Sequence, residues 1–332
     1  MNQTLLRSCA LLLLGVGVFA VRPAYAVISC SSVSLSDFVF GDVDPQSSLV
    51  NVKAELKYTC RNSGLLATLR RSAKLCFSVG EPGAGSINPR QMKDVANNTL
   101  NFQIYQNFPP SIIWGSQFHG AEAPLKLDIT LEGGLLGGQS ITYTRTIHGR
   151  VFAGQTTAIP GSYINNYSAS DTAFSINQDI GKTAPEECSN TESGNLGPFM
   201  VSATVVKKCT VSASTLNFGN SVGLLTNAVN ASTTLVVQCS NTTPYNVGLS
   251  AGQNSGDDIN ARKMVLGNKS VDYQLYRDPA RTQVWGNTVN SNTVAGTGIG
   301  TTQILTVYGG VPAQTTPPAG TYSDTIVVTV TY

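Results

Sequence analysis

Short runs of alternating apolar and polar residues recur along this chain, as at Thr233-Thr234-Leu235-Val236-Val237-Gln238, at Val271-Asp272-Tyr273-Gln274-Leu275-Tyr276, and from Thr325 to Tyr332. A period of two sends successive side chains to opposite faces of a strand, so each run predicts a strand with one face against a core. No long stretch repeats its apolar residues with the period of a helix. Ser, Thr, Asn, Val and Ile dominate, glycine is abundant, and only 12% of residues are charged, a composition that favours strands and turns. The pattern predicts an all-β protein of short antiparallel strands.

The pattern also occurs twice. Cys209 and Cys239 bracket Asn217-Phe218-Gly219; then follow Arg262-Lys263-Met264, Tyr273-Gln274-Leu275-Tyr276 and Trp285-Gly286. Earlier, Cys30 and Cys60 bracket Val39-Phe40-Gly41, followed by Arg90-Gln91-Met92, Phe102-Gln103-Ile104-Tyr105 and Trp114-Gly115. Agreement in order, spacing and residue type marks a tandem duplication. Each copy is long enough to bury its own core, which predicts two tandem immunoglobulin-like antiparallel β-sandwich domains. The expected boundaries are 27–182 for the first domain, a Pro-, Gly- and Ser-rich linker at 183–198, and 199–332 for the second, with Phe199 to Val206 as its first strand.

Residues 1–26 read as a secretory signal: Arg7, an apolar run from Leu11 to Val21, and Ala24-Tyr25-Ala26 as a cleavage site. That run is shorter than a membrane span needs. Without Arg7, Arg22 and Cys9 the mature chain has 19 basic and 19 acidic residues and six cysteines. Zero net charge argues against a nucleic-acid partner. An even cysteine count in an exported chain implies disulfides. The repeat suggests Cys30–Cys60 and Cys209–Cys239, leaving Cys76 for Cys188, although connectivity is not fixed by sequence alone.

Nothing in the sequence suggests catalysis, a metal or a cofactor. The two histidines, His119 and His148, lack paired ligand spacing, and there is no nucleophile elbow or phosphate-cradling loop. The expectation is therefore a protein that is not an enzyme. The copies differ instead in their turns. Between Tyr276 and Trp285 the second copy has a polar hairpin, whereas the first has Gln106-Asn107-Phe108-Pro109-Pro110-Ser111-Ile112-Ile113. The first copy alone carries Gly133-Gly134-Leu135-Leu136-Gly137-Gly138, read as a projecting hairpin tip, and a third candidate is Gly64-Leu65-Leu66-Ala67. If these loops gather at one end, Leu65, Leu66, Phe108, Pro109, Pro110, Ile112, Ile113, Leu135 and Leu136 form an apolar patch suited to a hydrophobic surface. Six or seven such side chains, partly buried, supply about 5–10 kcal/mol before losses. Trp114 is read as structural, because Trp285 holds its place in the other copy.

The second copy closely resembles a spore coat protein U domain. The matching residues are Lys208-Cys209-Thr210-Val211, Leu216-Asn217-Phe218-Gly219, Arg262-Lys263-Met264, Tyr273 to Asp278, Trp285-Gly286, Ala319-Gly320-Thr321-Tyr322 and Val327 to Tyr332. In secreted bacterial proteins this domain is similar to the pilin of archaic, Csu-type chaperone–usher pili, and a two-domain member resembles the tip adhesin. The resemblance implies that the second domain is an incomplete sandwich, filled first by a periplasmic chaperone and then by a strand from the next pilus subunit after passage through an outer-membrane usher. Ile326, Val328, Val330 and Tyr332 are the expected acceptor edge. With only Val27-Ile28-Ser29 before Cys30, the chain is expected to accept a strand and to donate none, placing it at the pilus tip on the cell surface. The implied role is attachment and biofilm formation; a structural pilus or coat subunit and a glycan-binding lectin are the alternatives.

Overall fold

The computed structural model describes residues 27–44, 49–64, 67–120, 122–135, 137–220 and 224–332. The expected signal lies outside them, as do Leu65, Leu66 and Leu136. The first domain contains β1 (Val27–Leu35), β2 (Phe38–Val43), β3 (Val50–Ser63), β4 (Arg71–Val79), β5 (Arg90–Lys93), β6 (Thr99–Tyr105), β7 (Leu125–Leu131), β8 (Ser140–Val151), β9 (Gly161–Tyr167), β10 (Thr172–Ile180) and β11 (Phe199–Val205). Eight of them form one sheet in the order β1-β3-β8-β6-β5-β9-β11-β2, and β10-β4-β7 form the other. The second domain contains β12 (Cys209–Ala213), β13 (Val229–Cys239), β14 (Pro244–Leu249), β15 (Lys263–Leu266), β16 (Lys269–Asp272), β17 (Gln274–Tyr276), β18 (Val294–Thr297), β19 (Thr302–Val311) and β20 (Val328–Thr331). Its sheets are β12-β13-β19-β17 and β18-β14-β20, with β15 and β16 as a separate hairpin.

The duplication is visible bond by bond. Cys30 faces Cys60 across β1 and β3, and Cys209 faces Cys239 across β12 and β13; both pairs are disulfides. The indole of Trp114 donates to Phe77 O at 2.7 Å and that of Trp285 to Val247 O at 2.8 Å, and neither ring is exposed. Arg90 and Arg262 are equally buried, each donating to the carbonyl of its domain's tryptophan. In both copies a tyrosine closes a corner: Tyr163 Oη donates to Ile159 O at 2.8 Å and Tyr322 Oη to Pro318 O at 2.9 Å. The tryptophan and arginine donors reach buried backbone carbonyls, which need hydrogen-bond partners away from water.

The domain boundary differs from the expected one. Phe199–Val205, predicted as the opening strand of the second domain, lies in the first, antiparallel to β9 and parallel to β2. The segment before it is not a free linker. Cys188 is bonded to Cys76 of β4, Leu196 is fully buried, and Phe174 of β10 exchanges hydrogen bonds with Ser193 and Gly194. Alternation identifies a strand but not its sheet, and here β9 and β2 offered an apolar slot with unpaired backbone on both sides. Phe199, Val201, Ala203 and Val205 fill it and are all buried, while residues 206–208 pass directly into β12.

Candidate functional site

Two places distinguish this chain from a pair of closed sandwiches. The first is the position in the second domain that corresponds to β11. Matching Arg90 to Arg262 and Tyr163 to Tyr322 aligns β9 with Thr321–Ile326 and β2 with the segment around Leu216-Asn217-Phe218; the Lys93–Ile164 pairing of the first copy recurs as the bridge between Val265 and Ser323. In the first domain β11 runs between these two segments. In the second, the same place is a cleft of about 530 Å³ whose walls include Leu216, Phe218, Leu235, Met264, Tyr322 and Ile326. A second cleft of about 530 Å³ adjoins it and shares Leu216, Phe218, Met264 and Tyr322.

Burial follows occupancy. Phe38, Met92 and Tyr163 are 0% exposed and Phe40 is 6%, whereas their counterparts Leu216, Met264, Tyr322 and Phe218 are only half-buried. The walls are nevertheless similarly built. A Cβ on Gly149 would meet Phe38 and Phe40, and one on Gly309 would meet Leu216 and Phe218, so in each copy a glycine lets the apolar segment lie flat against the sheet.

Of the expected acceptor residues, Ile326 and Val328 line the cleft. Val330 is half-buried against the second core, and Tyr332 is 54% exposed. The reason is register: β20 already pairs with β14, Val328 opposite Leu249 and Val330 opposite Val247, so its backbone is engaged on that side. β20 is itself the edge strand of its sheet, and Thr321–Ile326 is the stretch before it that borders the cleft. Leu216, Phe218, Met264 and Tyr322 were not anticipated as lining, although apolar residues repeated at these positions in both copies were the signal. Asp324, on the same segment, is held from behind, accepting from Tyr273 Oη at 2.7 Å and from Asn254 Nδ2 at 2.9 Å. Burial, together with that carboxylate, pushes the Tyr273 hydroxyl well above the ordinary phenol range.

The second place is one end of the first domain. The hairpin between β7 and β8 is braced on the loop after β3: Gly138 N donates to Asn62 O at 3.0 Å, Gly134 N to Ala67 O at 2.6 Å, and Asn62 Nδ2 to Leu69 O at 2.9 Å. Its glycines serve close approach. A Cβ on Gly133 would run into the Thr68 backbone, and one on Gly138 would run into Asn62 O. The hairpin is thus held against its neighbour, with Leu135 at its tip 86% exposed. Leu69, Ile180 and Val27 lie at the same end and are 53%, 54% and 43% exposed; the sequence reading did not single them out. A salt bridge between Arg70 and Glu132 flanks them and holds the Glu132 carboxyl below the usual carboxylate range.

The third apolar loop stands apart. Tyr105, from which Phe108–Ile113 departs, pairs with His148, whereas the braced hairpin enters β8 at Ser140. Eight residues of strand separate the two levels, roughly 26 Å at the rise of an antiparallel strand. Phe108 (66% exposed) lies against the His148 ring, with centroids 5.2 Å apart; Pro109 and Ile112 are exposed, and Pro110 and Ile113 are half-buried. Burial, then Lys53 and Arg145, push His148 below its ordinary value. Two of the three expected loops meet, and the third forms a separate apolar spot on the flank.

Among the described residues no group of three His, Cys, Asp or Glu side chains converges as a metal site, and no helix is long and apolar enough to cross a membrane.

The chain belongs to the Spore Coat Protein U domain family, whose profile matches residues 16–169 and 195–329. It is 33% identical over 82 residues to protein U of Myxococcus xanthus, a match that covers 25% of this chain and 45% of that protein, so the chain spans less than half the length of this relative. Among solved structures it is similar to a chain of the CsuC–CsuE chaperone–tip adhesion subunit pre-assembly complex from archaic chaperone–usher Csu pili of Acinetobacter baumannii: 18% identity, TM-score 0.47, covering 92% of this chain and 100% of that one. It is also similar to the CupB6 tip adhesin of Pseudomonas aeruginosa, at 9% identity and TM-score 0.34, covering 93% and 95% of the two chains. A third likeness is to CfaE, the adhesive subunit of the CFA/I fimbria of enterotoxigenic Escherichia coli, at 13% identity and TM-score 0.28, covering 89% and 92%.

Proposed function

We propose that this protein is the tip adhesin of an archaic, Csu-like chaperone–usher pilus, exported through the periplasm to the cell surface. One observation carries the reading: the sheet position that β11 fills in the first domain is an open apolar groove in the second. A groove flanked by unpaired strand backbone is an acceptor for an added strand. A periplasmic chaperone would cover it before assembly, and a strand of the next subunit would fill it after passage through the outer-membrane usher. The first domain supplies its own closing strand, so it is free to present its loops at the end of a fibre.

The contact surface is the braced end of the first domain. Leu135, Leu69, Ile180 and Val27 form an apolar group flanked by Arg70 and Glu132. Partial burial of four such side chains against a solid supplies about 3–6 kcal/mol before ordering losses, and because the hydrophobic effect is non-directional it asks for no particular receptor. Attachment to hydrophobic, abiotic surfaces and the biofilm that follows are the expected consequences. The double substitution L135T/L136T is expected to lower adhesion of piliated cells to polystyrene several-fold at unchanged pilus number; unchanged adhesion would remove this end as the contact surface. Immunogold against the first domain is expected at fibre ends, and labelling along the whole fibre would make the chain a structural pilus or coat subunit.

A glycan-binding reading is favoured by one observation. Beside the single bridge joining β5 to β9 lies a cleft of about 480 Å³ lined by Gln91, Lys93, Asn165 and Asn166. Polar groups converging on a concave site are what a sugar requires. Adhesion abolished by a free sugar and by N166A, but indifferent to L135T/L136T, would establish that reading in place of the first.

A further inference from the structure

The two copies share one strand pairing rung for rung. β3 lies against β8 as β13 lies against β19: Asn51 faces Arg150 as Asn230 faces Gly310, Lys53 faces His148 as Ser232 faces Tyr308, Leu56 faces Arg145 as Leu235 faces Leu305, and Lys57 faces Thr144 as Val236 faces Ile304. Arg61, just after Cys60, corresponds to Ser240, just after Cys239. Five cations of the first copy thus have five uncharged counterparts. The same pairing forms without them, so the fold does not require them.

These cations are gathered rather than scattered. Lys53, Lys57 and Arg61 are exposed and stand four residues apart on one strand, which puts all three on its outer face over about 27 Å. Arg150 adds a guanidinium to that face, held by Asn51 Oδ1 at 2.8 Å and over the Tyr105 ring. β6 pairs with β8 only as far as His148, and Arg145 is exposed on the part of β8 beyond it. β1, β3 and β8 together hold these five cations and a single carboxylate, Glu55. Among the described residues none of the five has an ion-pair partner, whereas on the other sheet Lys74 is paired with Asp128 and Lys126 with Glu187. Between the cations lie rungs of hydroxyls: Ser31 faces Thr59, and Thr59 and Thr142 join their side-chain oxygens at 2.8 Å. At the Lys53 end the ring of Phe108 is 66% exposed above His148.

We propose that this outer face of β3 and β8 is a binding surface for a linear acidic polysaccharide, distinct from the apolar end of the domain and separated by β6 from the cleft beside β5 and β9. Carboxylate or sulfate groups of the chain meet Lys53, Lys57, Arg61 and Arg145, its hydroxyls meet the Ser and Thr rungs, and one sugar ring rests on Phe108. A flat sheet with cations at regular intervals suits an extended polymer, while a compact ligand would need a concave site. A single nucleic-acid strand would need a succession of aromatic platforms and a bilayer an apolar face to insert, and Phe108 alone provides neither. Each exposed contact is weak, so binding comes from several made at once along one chain and falls with salt.

The test is retention of the full chain on immobilised heparin, polygalacturonate and uncharged dextran, with duplex DNA and phosphatidylglycerol vesicles alongside. The two acidic polysaccharides are expected to hold the chain at about 0.1 M salt and to release it towards about 1 M, where the screening length falls to about 3 Å, and dextran is expected to hold none. K53E/K57E is expected to weaken the retention about ten-fold without lowering the first domain's melting transition, because both side chains are exposed, and to leave adhesion to polystyrene unchanged. L135T/L136T and N166A are expected to leave the retention as it is, so this surface and the two sites proposed above fail separately. No retention on either acidic polysaccharide, retention indifferent to K53E/K57E, or retention lost equally in L135T/L136T would overturn the proposal. DNA or vesicles held as tightly as the polysaccharides, with the same loss in K53E/K57E, would make the face a general anion surface and overturn the polysaccharide assignment.

Discussion

Arg262 shows how much one residue can hold together. Its guanidinium is buried and donates to the carbonyls of Leu249, Ser250 and Trp285, tying the end of β14 to the segment after β17. Arg262→Leu would leave these carbonyls unpaired in a dry environment, so a loss of about 3–5 kcal/mol from the second domain is expected, read as a lower urea midpoint. His148 gives a pH dependence of known sign. Its folded value lies below the ordinary 6.5, so the unfolded chain binds the proton more readily between the two. Its stabilisation is complete above pH 6.5 and is lost as the pH falls through the folded value. The first domain is expected to melt lower at about pH 5 than at about pH 7, and H148Q to flatten that slope; an unchanged slope would assign it to carboxylates. Arg262 was legible in the sequence as a repeated motif. The burial of His148 was not, because it depends on Phe108 folding back over β8.

Among elements, β11 carries the most consequence. The sequence marked it as a strand, yet its own alternation suits either domain equally, and proximity to Cys209 favoured the wrong one. Val201→Asp puts an unpaired carboxylate at a fully buried position of the first sandwich, where the cost is several kcal/mol, about 4 or more. It is expected to lower the first domain's melting transition and leave the second's in place, which tests directly to which domain the strand belongs. The β7–β8 hairpin makes a parallel point. Its glycines mark a special turn in the sequence, but they serve close approach to Asn62 and Thr68 rather than projection into solvent. Gly138→Ala is expected to detach the hairpin from Asn62, raising exchange at Gly138 and Gln139 and reducing adhesion at unchanged pilus number.

For the whole molecule the asymmetry between the domains governs behaviour. The first has a closed slot and a disulfide from Cys76 to Cys188, whose 112-residue separation is the largest among the disulfides of the described residues. In the chain-entropy model such closure contributes about 4–5 kcal/mol, against about 3–4 kcal/mol for a loop of roughly 30 residues. Calorimetry of the full chain is expected to give two transitions, with the open second domain melting first. C76S/C188S is expected to lower the upper transition and to expose residues 183–198 to exchange, because that disulfide holds the segment that delivers β11. A single cooperative transition would mean that the domains share stability across the 206–208 connection.

The sequence by itself determined what is local or repeated. Alternation marked strands, the two equally spaced cysteine pairs suggested their disulfides, and the recurrence of Arg, Trp and the apolar markers determined that one sandwich is built twice. Such features depend on neighbours a few residues away, or on a copy that can be laid alongside. Which sheet β11 joins, that Thr321–Ile326 borders the cleft, and that the Phe108 loop lies eight strand residues along β8 from the base of the braced hairpin were decided only by tertiary structure. Strand pairing is non-local, and an apolar face records that it is covered without recording by what. The resemblance already implied an open second domain, but which strand closes the first and which residues wall the open slot depend on pairings the sequence does not record.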